Sequence, residues 1–197
     1  MTHIVTVTAH APARANPSAG SVNLVYIRPR QVAFVRTFGR YATAADRAWA
    51  VMLEWLDVRG LAIRTPCGFG LAHDNPGTVA SQSCRYDACV ELPPDFVENL
   101  SDGVSFQMLP GGAYARIRHI GPYADVGSAI GVIRDSWLSD QDSLTIDRRR
   151  PFLFSFFDDP RATDPASLRC DVCVPVRAPC EDVIPRHRFS IAASMDR

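Results

Sequence analysis

Two strand-like stretches of this 197-residue chain hold the residue types most able to do chemistry. "SCRYDACVEL" at 83–92 sets Arg85, Asp87 and Cys89 at alternate positions, and "SLRCDVCVPV" at 167–176 does the same with Arg169, Asp171 and Cys173. An arginine and an aspartate two apart on a strand share one face, so ion pairs to a neighbouring strand would fix register. Charged groups inside a site are the alternative. Cys170-x-x-Cys173 resembles half a metal site, but residues three apart on a strand point to opposite faces. No zinc spacing is completed elsewhere, and Cys89 and Cys173 read as small core residues. His73 and His119 stand without a Ser, Cys or acid in a nucleophile arrangement, and a partner distant in sequence stays open. Asp74-Asn75-Pro76 and Asp158-Asp159-Pro160 are turn chemistry rather than metal ligands. No phosphate loop opens a helix. These residues assign no catalytic group, no metal and no cofactor.

The aromatic residues carry more. "PFLFSFF" puts Phe152, Phe154 and Phe156 on one strand face. The matching positions 84 residues earlier are Gly68, Gly70 and Ala72, bulky against nearly bare. Large-against-small core packing explains that, and so does a hollow lined by aromatics. Both readings stay open on the residues alone.

The elements that must position these residues are written twice. "VRTFGRY" at 35–41 is matched by "IRHIGPY" at 117–123, an offset of 82 that also places Trp55 on Trp137. "HDNP" at 73–76 meets "FDDP" at 157–160 at an offset of 84, which continues through the two opening strands. Agreement in register over a whole supersecondary unit marks a duplication. Each unit reads as an alternating strand, a Gly-x-Tyr turn, an amphipathic helix and two strands joined by an Asp/Asn-Pro turn. The helix stripes are Ala45, Ala48, Trp49, Met52, Leu53 and Leu56, then Val126, Ala129, Ile130, Ile133 and Trp137. A leader strand in each copy (22–27 and 104–109) is expected to form a hairpin with the strand after it.

The fold class is therefore α+β, a tandem β-α-β-β duplication with pseudo-two-fold symmetry, antiparallel sheets and two main helices. Residues 1–20 read as a flexible leader and 21–176 as the domain, with repeats at about 21–92 and 104–176. Residues 93–103 form the linker and 177–197 an irregular tail. One such unit leaves a bare apolar face and unpaired edges; two can pool their cores, and the seam between them is the natural ligand site.

Composition sets the remaining bounds. The formal net charge is zero, which removes the long-range attraction that non-specific nucleic-acid binding needs. Arg148-Arg149-Arg150, beside Asp147, reads as a solvated loop. No apolar run approaches a membrane span, and the N-terminus lacks the pattern of a secretory signal. The expected compartment is the cytoplasm, with reduced cysteines.

The stretches "VAFVRTFGRY", "GLAHDNP…CRYDACVELP", "GGAYARIRHIGPY", "RRPFLFSFFDDP" and "LRCDVCVPV" together resemble the GyrI-like small-molecule-binding family, the bacterial effector-binding domain. The resemblance covers about residues 22–176. It implies a duplicated β-α-β-β fold with an aromatic-lined pocket between the repeats, as in AraC- and MerR-type multidrug regulators and stand-alone binders. It also implies two other possibilities, a hydrolase of electrophilic toxins and a protein-interaction module of the gyrase-inhibitor kind. The family often places a buried Glu in a P-x-F-E-x-Y pattern, where it pairs with cationic ligands. Here those Glu and Tyr positions hold Phe154 and Phe156, so binding without turnover is expected. No helix-turn-helix precedes the domain, so no direct DNA binding by this chain is expected; no oligomeric state is assigned. Tyr41, Trp49, Tyr114, Tyr123, Trp137, Phe152, Phe154 and Phe156 are the expected wall for a neutral, flat, apolar ligand, each able instead to be plain core.

Overall fold

The computed structural model describes residues 21–61, 68–92, 96 and 103–179. The expected leader at 1–20, most of the linker and the tail beyond 179 lie outside the described residues. The chain runs β1 (Asn23–Ile27), β2 (Arg30–Phe38), α1 (Tyr41–Val58), β3 (Gly68–Ala72), β4 (Arg85–Val90), β5 (Ser105–Leu109) and β6 (Gly112–Ile120). A second, composite helix follows: a 3-10 turn Tyr123–Asp125, then α2 (Val126–Gly131), a π-helical turn Val132–Trp137 and a closing 3-10 turn Leu138–Asp140. The strands β7 (Thr145–Ile146), β8 (Phe152–Phe156) and β9 (Arg169–Arg177) complete the fold. The short β7, which no sequence signal marked, pairs with the end of β9.

Every strand pairing is antiparallel, in the order β1-β6-β9-β8-β3-β4-β2-β5. The duplication is written into the register. Arg36 stands opposite Asp87 between β2 and β4, and Arg118 opposite Asp171 between β6 and β9. Gly39 and Gly121 end β2 and β6 at φ of 137° and 130°, a conformation glycine adopts without a Cβ penalty. Their N–H groups donate to Cys84 O (2.9 Å) and Leu168 O (2.8 Å). The halves join at the centre, where β3 pairs with β8 and Gly70 lies opposite Phe154.

The leader strands correct the hairpin expectation. β1 pairs with β6 and β5 pairs with β2, so each leader serves the other repeat. Proline is the reason. A two-residue hairpin turn needs positive φ at its first residue, or at both, and proline is locked near −65°. Pro110 occupies the first turn position between β5 and β6. Between β1 and β2, Pro29 takes the second and disfavours a positive φ at Arg28. The two connections instead cross, so closely that a Cβ on Gly111 would lie 2.8 Å from Pro29 N and 2.9 Å from Ile27 O. Both contacts are backbone and cannot swing aside. Gly111→Val is therefore expected to cost about 1–3 kcal/mol by overpacking, read as a lower urea midpoint. An unchanged midpoint would show that the crossing is not tight.

Alternation along the strands divides the core between two faces. Val35, Ala48, Met52, Trp55 and Ala88 pack under α1, while Ile117, Ala129, Ile133, Val172 and Val174 pack under the second helix. The opposite face gathers Val25, Val32, Phe69, Leu71, Leu109, Tyr114 and Leu153 into one cluster from both halves. Because edge strands β1 and β5 both contribute to it, the sheet curls around this cluster. Cys170 and Cys173 fall on different faces, as strand alternation requires.

Candidate ligand-binding site

A cavity of about 1070 Å³ lies between the two helices, over the central strands β3 and β8. Tyr41, Ala45, Trp49 and Leu53 reach it from α1, and Tyr123, Val126 and Ile130 from the second helix. Phe152, Phe154 and Phe156 of β8, Ala72 of β3 and Tyr86 of β4 form its floor. Phe156 joins the halves: its ring centroid is 5.6 Å from that of Trp49 and 4.8 Å from that of Tyr123. Phe154 stacks beside it at 6.4 Å with 16° between planes.

The bare strand face serves these rings. A Cβ on Gly68 would run into the Trp49 indole, and one on Gly70 into the Tyr86 hydroxyl and the Phe156 ring. Large-against-small packing and a ligand-sized hollow are thus both present, the first seating the walls of the second.

Six of the eight expected wall residues line the cavity: Tyr41, Trp49, Tyr123, Phe152, Phe154 and Phe156. Tyr114 does not. It is fully buried in the cluster on the other sheet face, under the Arg150 guanidinium 4.7 Å from its ring centroid. Its strand parity explains this, since Tyr114, Arg116 and Arg118 alternate together away from the helices. Trp137 also does not line it and packs in the core of its own repeat. The π-helical turn has more residues per turn than an α-helix, so it rotates Trp137 out of phase with Ile130. Arg150 corrects the solvated-loop reading. It pairs with Asp147 (2.9 Å) and donates to the carbonyls of Gly111 (3.1 Å), Ala113 (3.0 Å) and Val176 (2.9 Å).

The polar groups around the cavity are largely engaged. The Tyr41 hydroxyl donates to Asp74 O (2.6 Å) and accepts from Asp74 N (2.7 Å), and the Tyr123 hydroxyl does the same with Asp158 (2.8 and 3.3 Å). Both side chains are thereby pinned in the cavity wall. Among the acids at its rim, Asp74 is held by Arg85 (2.7 Å), Asp158 by Arg169 (2.7 Å) and Asp159 by Arg161 (2.8 Å). Hydrogen bonds from those arginines hold all three carboxyls below the usual range. Asp46 is exposed at the mouth. Phe154, in the middle of the floor, is 6% exposed.

A second polar constellation lies on the opposite face, and sequence reasoning missed its membership. Asp87, fully buried, accepts from Arg36 Nε (2.7 Å) and Nη2 (2.8 Å), His73 Nε2 (2.7 Å) and Gln107 Nε2 (2.9 Å). Burial pushes its carboxyl up, but the bonds from Arg36, His73 and Gln107 overcome that and hold it at about 2. The second copy is simpler. Asp171 pairs with Arg118, and Arg116 stands at 3.6 Å. Phe157 replaces His73 there, under the Arg118 guanidinium at 4.4 Å. Arg36 and Asp87 were findable because both are repeated. His73 and Gln107 were not, having no equivalents. Among the described residues no group of His, Cys, Asp and Glu is arranged to hold a metal ion.

A duplicated β-α-β-β chain whose two helices flank an aromatic-floored cavity has the build of a small-molecule-binding domain. The profile of the GyrI-like small molecule binding domain matches residues 21–177, and the chain belongs to that family. It is 32% identical over 129 residues to the probable transcriptional regulator YgiV of Escherichia coli K12, covering 64% of this chain and 78% of YgiV. The EcmrR C-terminal domain aligns with a TM-score of 0.62 at 21% identity, over 80% of this chain and 98% of that one. In an EcmrR–DNA complex the match spans only 57% of the EcmrR chain. SAV2435 bound to tetraphenylphosphonium aligns with a TM-score of 0.51 at 11% identity, over 80% of this chain and 99% of that one. Among the described residues no helix is long and apolar enough to cross a membrane.

Proposed function

We infer that the chain binds a small, flat, neutral aromatic or apolar molecule in the cavity between its repeats, for sensing or sequestration. The observation that carries this is the floor. Phe152, Phe154 and Phe156 form a continuous aromatic surface, and the acids at the rim are tied to arginines or exposed. Apolar pockets of this size bury most of a drug-sized ligand, and affinity comes from the area removed from water. SAV2435 is bound to a cation; the reading here differs because Phe154 offers only a ring face. The protein acts as a binder rather than an enzyme, since among the described residues no acid is placed on the floor for proton transfer. It does so in the cytoplasm, without reading DNA itself; its neutral net charge supplies no basic footprint.

The test is a titration with 9-methylanthracene, a flat neutral fluorophore. One molecule is expected to bind per chain. Ala45→Trp, which fills the α1 side of the cavity, should weaken it at least about tenfold, ~1.4 kcal/mol, with little change in the thermal midpoint. Binding that ignores Ala45→Trp would place the ligand elsewhere.

A further inference from the structure

One hydroxyl in the cavity wall is held in place and left with a proton to give. Tyr86 is 4% exposed and lines the cavity from β4. Trp49 Nε1 donates to its oxygen at 3.2 Å, which fixes one lone pair and restricts the swing of the O–H. Among the described residues no acceptor receives the Tyr86 proton. Burial pushes the phenol above its ordinary range, so the hydroxyl stays protonated and remains a donor. The site is also cut to fit it. Any Cβ on Gly70 would overlap the hydroxyl, so glycine is required beneath it. The matching residue of the second repeat is Cys170, buried in the core under the other helix. The donor therefore belongs to one side of the cavity, which would orient an asymmetric ligand.

We propose that the Tyr86 hydroxyl reads a hydrogen-bond acceptor, a carbonyl or ether oxygen, on the flat ligand of this cavity; this rests on the ligand-binding reading above. The class it selects is the neutral aromatic ketone and its relatives. A buried donor with no partner is costly, and a ligand oxygen relieves that cost only when it lies in the plane the hydroxyl sweeps. A protonated amine brings only donors and would meet a donor here.

The test uses two probes with the same three-ring frame, 9-fluorenone with a carbonyl and fluorene with a methylene in its place. Tyr86→Phe is expected to lower the fluorenone-to-fluorene affinity ratio about tenfold, ~1.4 kcal/mol. Infrared spectroscopy gives a readout that needs no variant. In the wild-type complex the fluorenone carbonyl stretch should lie below its frequency in hexane, and in Tyr86→Phe it should return to that frequency. A carbonyl at the hexane frequency in wild type, or a ratio unmoved by Tyr86→Phe, overturns the role of Tyr86 while the cavity reading stands. Failure of both probes to bind wild type overturns the cavity reading itself.

Discussion

Replacing Asp87 with alanine is expected to remove about 3–5 kcal/mol of folding stability, a large part of the roughly 5–15 kcal/mol that holds a typical domain. The carboxylate has no exposed surface and accepts four hydrogen bonds. Taking it away leaves the partly buried Arg36 guanidinium, His73 and Gln107 without their common acceptor. It also removes a polar tie between β2, β4, the exchanged leader β5 and the turn after β3, beside the apolar cluster on that face. The pH dependence follows from the same contacts. The folded-state carboxyl sits at about 2, below its unfolded value near 4. Its contribution of about 2 kcal/mol is present in full above pH 4 and is lost as pH falls toward 2. Urea unfolding of wild type and Asp87→Ala from pH 7 to pH 2 measures both. The curves should lie about 3–5 kcal/mol apart at pH 7, and the gap should narrow by about 2 kcal/mol as pH falls from 4 toward 2. A difference under 1 kcal/mol at pH 7 would mean that the cluster is not a structural anchor.

What could be read from the residues beforehand divides along physical lines. The duplication was legible because both copies solve one backbone problem with the same residues. Gly39 and Gly121 take positive φ after equivalent strands, and Tyr41 and Tyr123 clamp equivalent Asp turns. The exchange of leader strands was not read, because alternation specifies a strand's faces and says nothing of its partner. Pro29 and Pro110 held that signal, since neither permits the tight turn a hairpin would need. Five wall residues followed from the parity of β8 and the turns of α1, and Tyr123 from its repeat equivalence to Tyr41. Tyr114 was misplaced although it shares strand parity with Arg118, whose ion pair with Asp171 lies on the other face. Trp137 could not have been placed, because a π-helical turn leaves no mark in a hydrophobic stripe. Tyr86 was overlooked between two charged neighbours, and only the geometry shows Gly70 making room for it.

Charge selectivity is the most exposed part of this account. A cation over Phe154 and Phe156 gains about 0.5–2 kcal/mol from each ring face. Removing that cation from water without a counter-charge costs several kcal/mol. Asp46 at the mouth is exposed and screened by salt, and the remaining rim acids are neutralised by Arg85, Arg169 and Arg161. The balance favours the neutral ligand by about thirtyfold or more, ~2 kcal/mol. A carboxylate in Phe154→Glu would supply the counter-charge that the floor lacks and should shift that ratio toward the cation by at least about tenfold. The deciding measurement is a fluorescence titration of wild type with 9-methylanthracene and 10-methylacridinium, which share size and shape and differ in one positive charge. Tighter binding of 9-methylanthracene, with the preference shrinking or reversing in Phe154→Glu, is the predicted result; tighter binding of 10-methylacridinium by the wild type would contradict it.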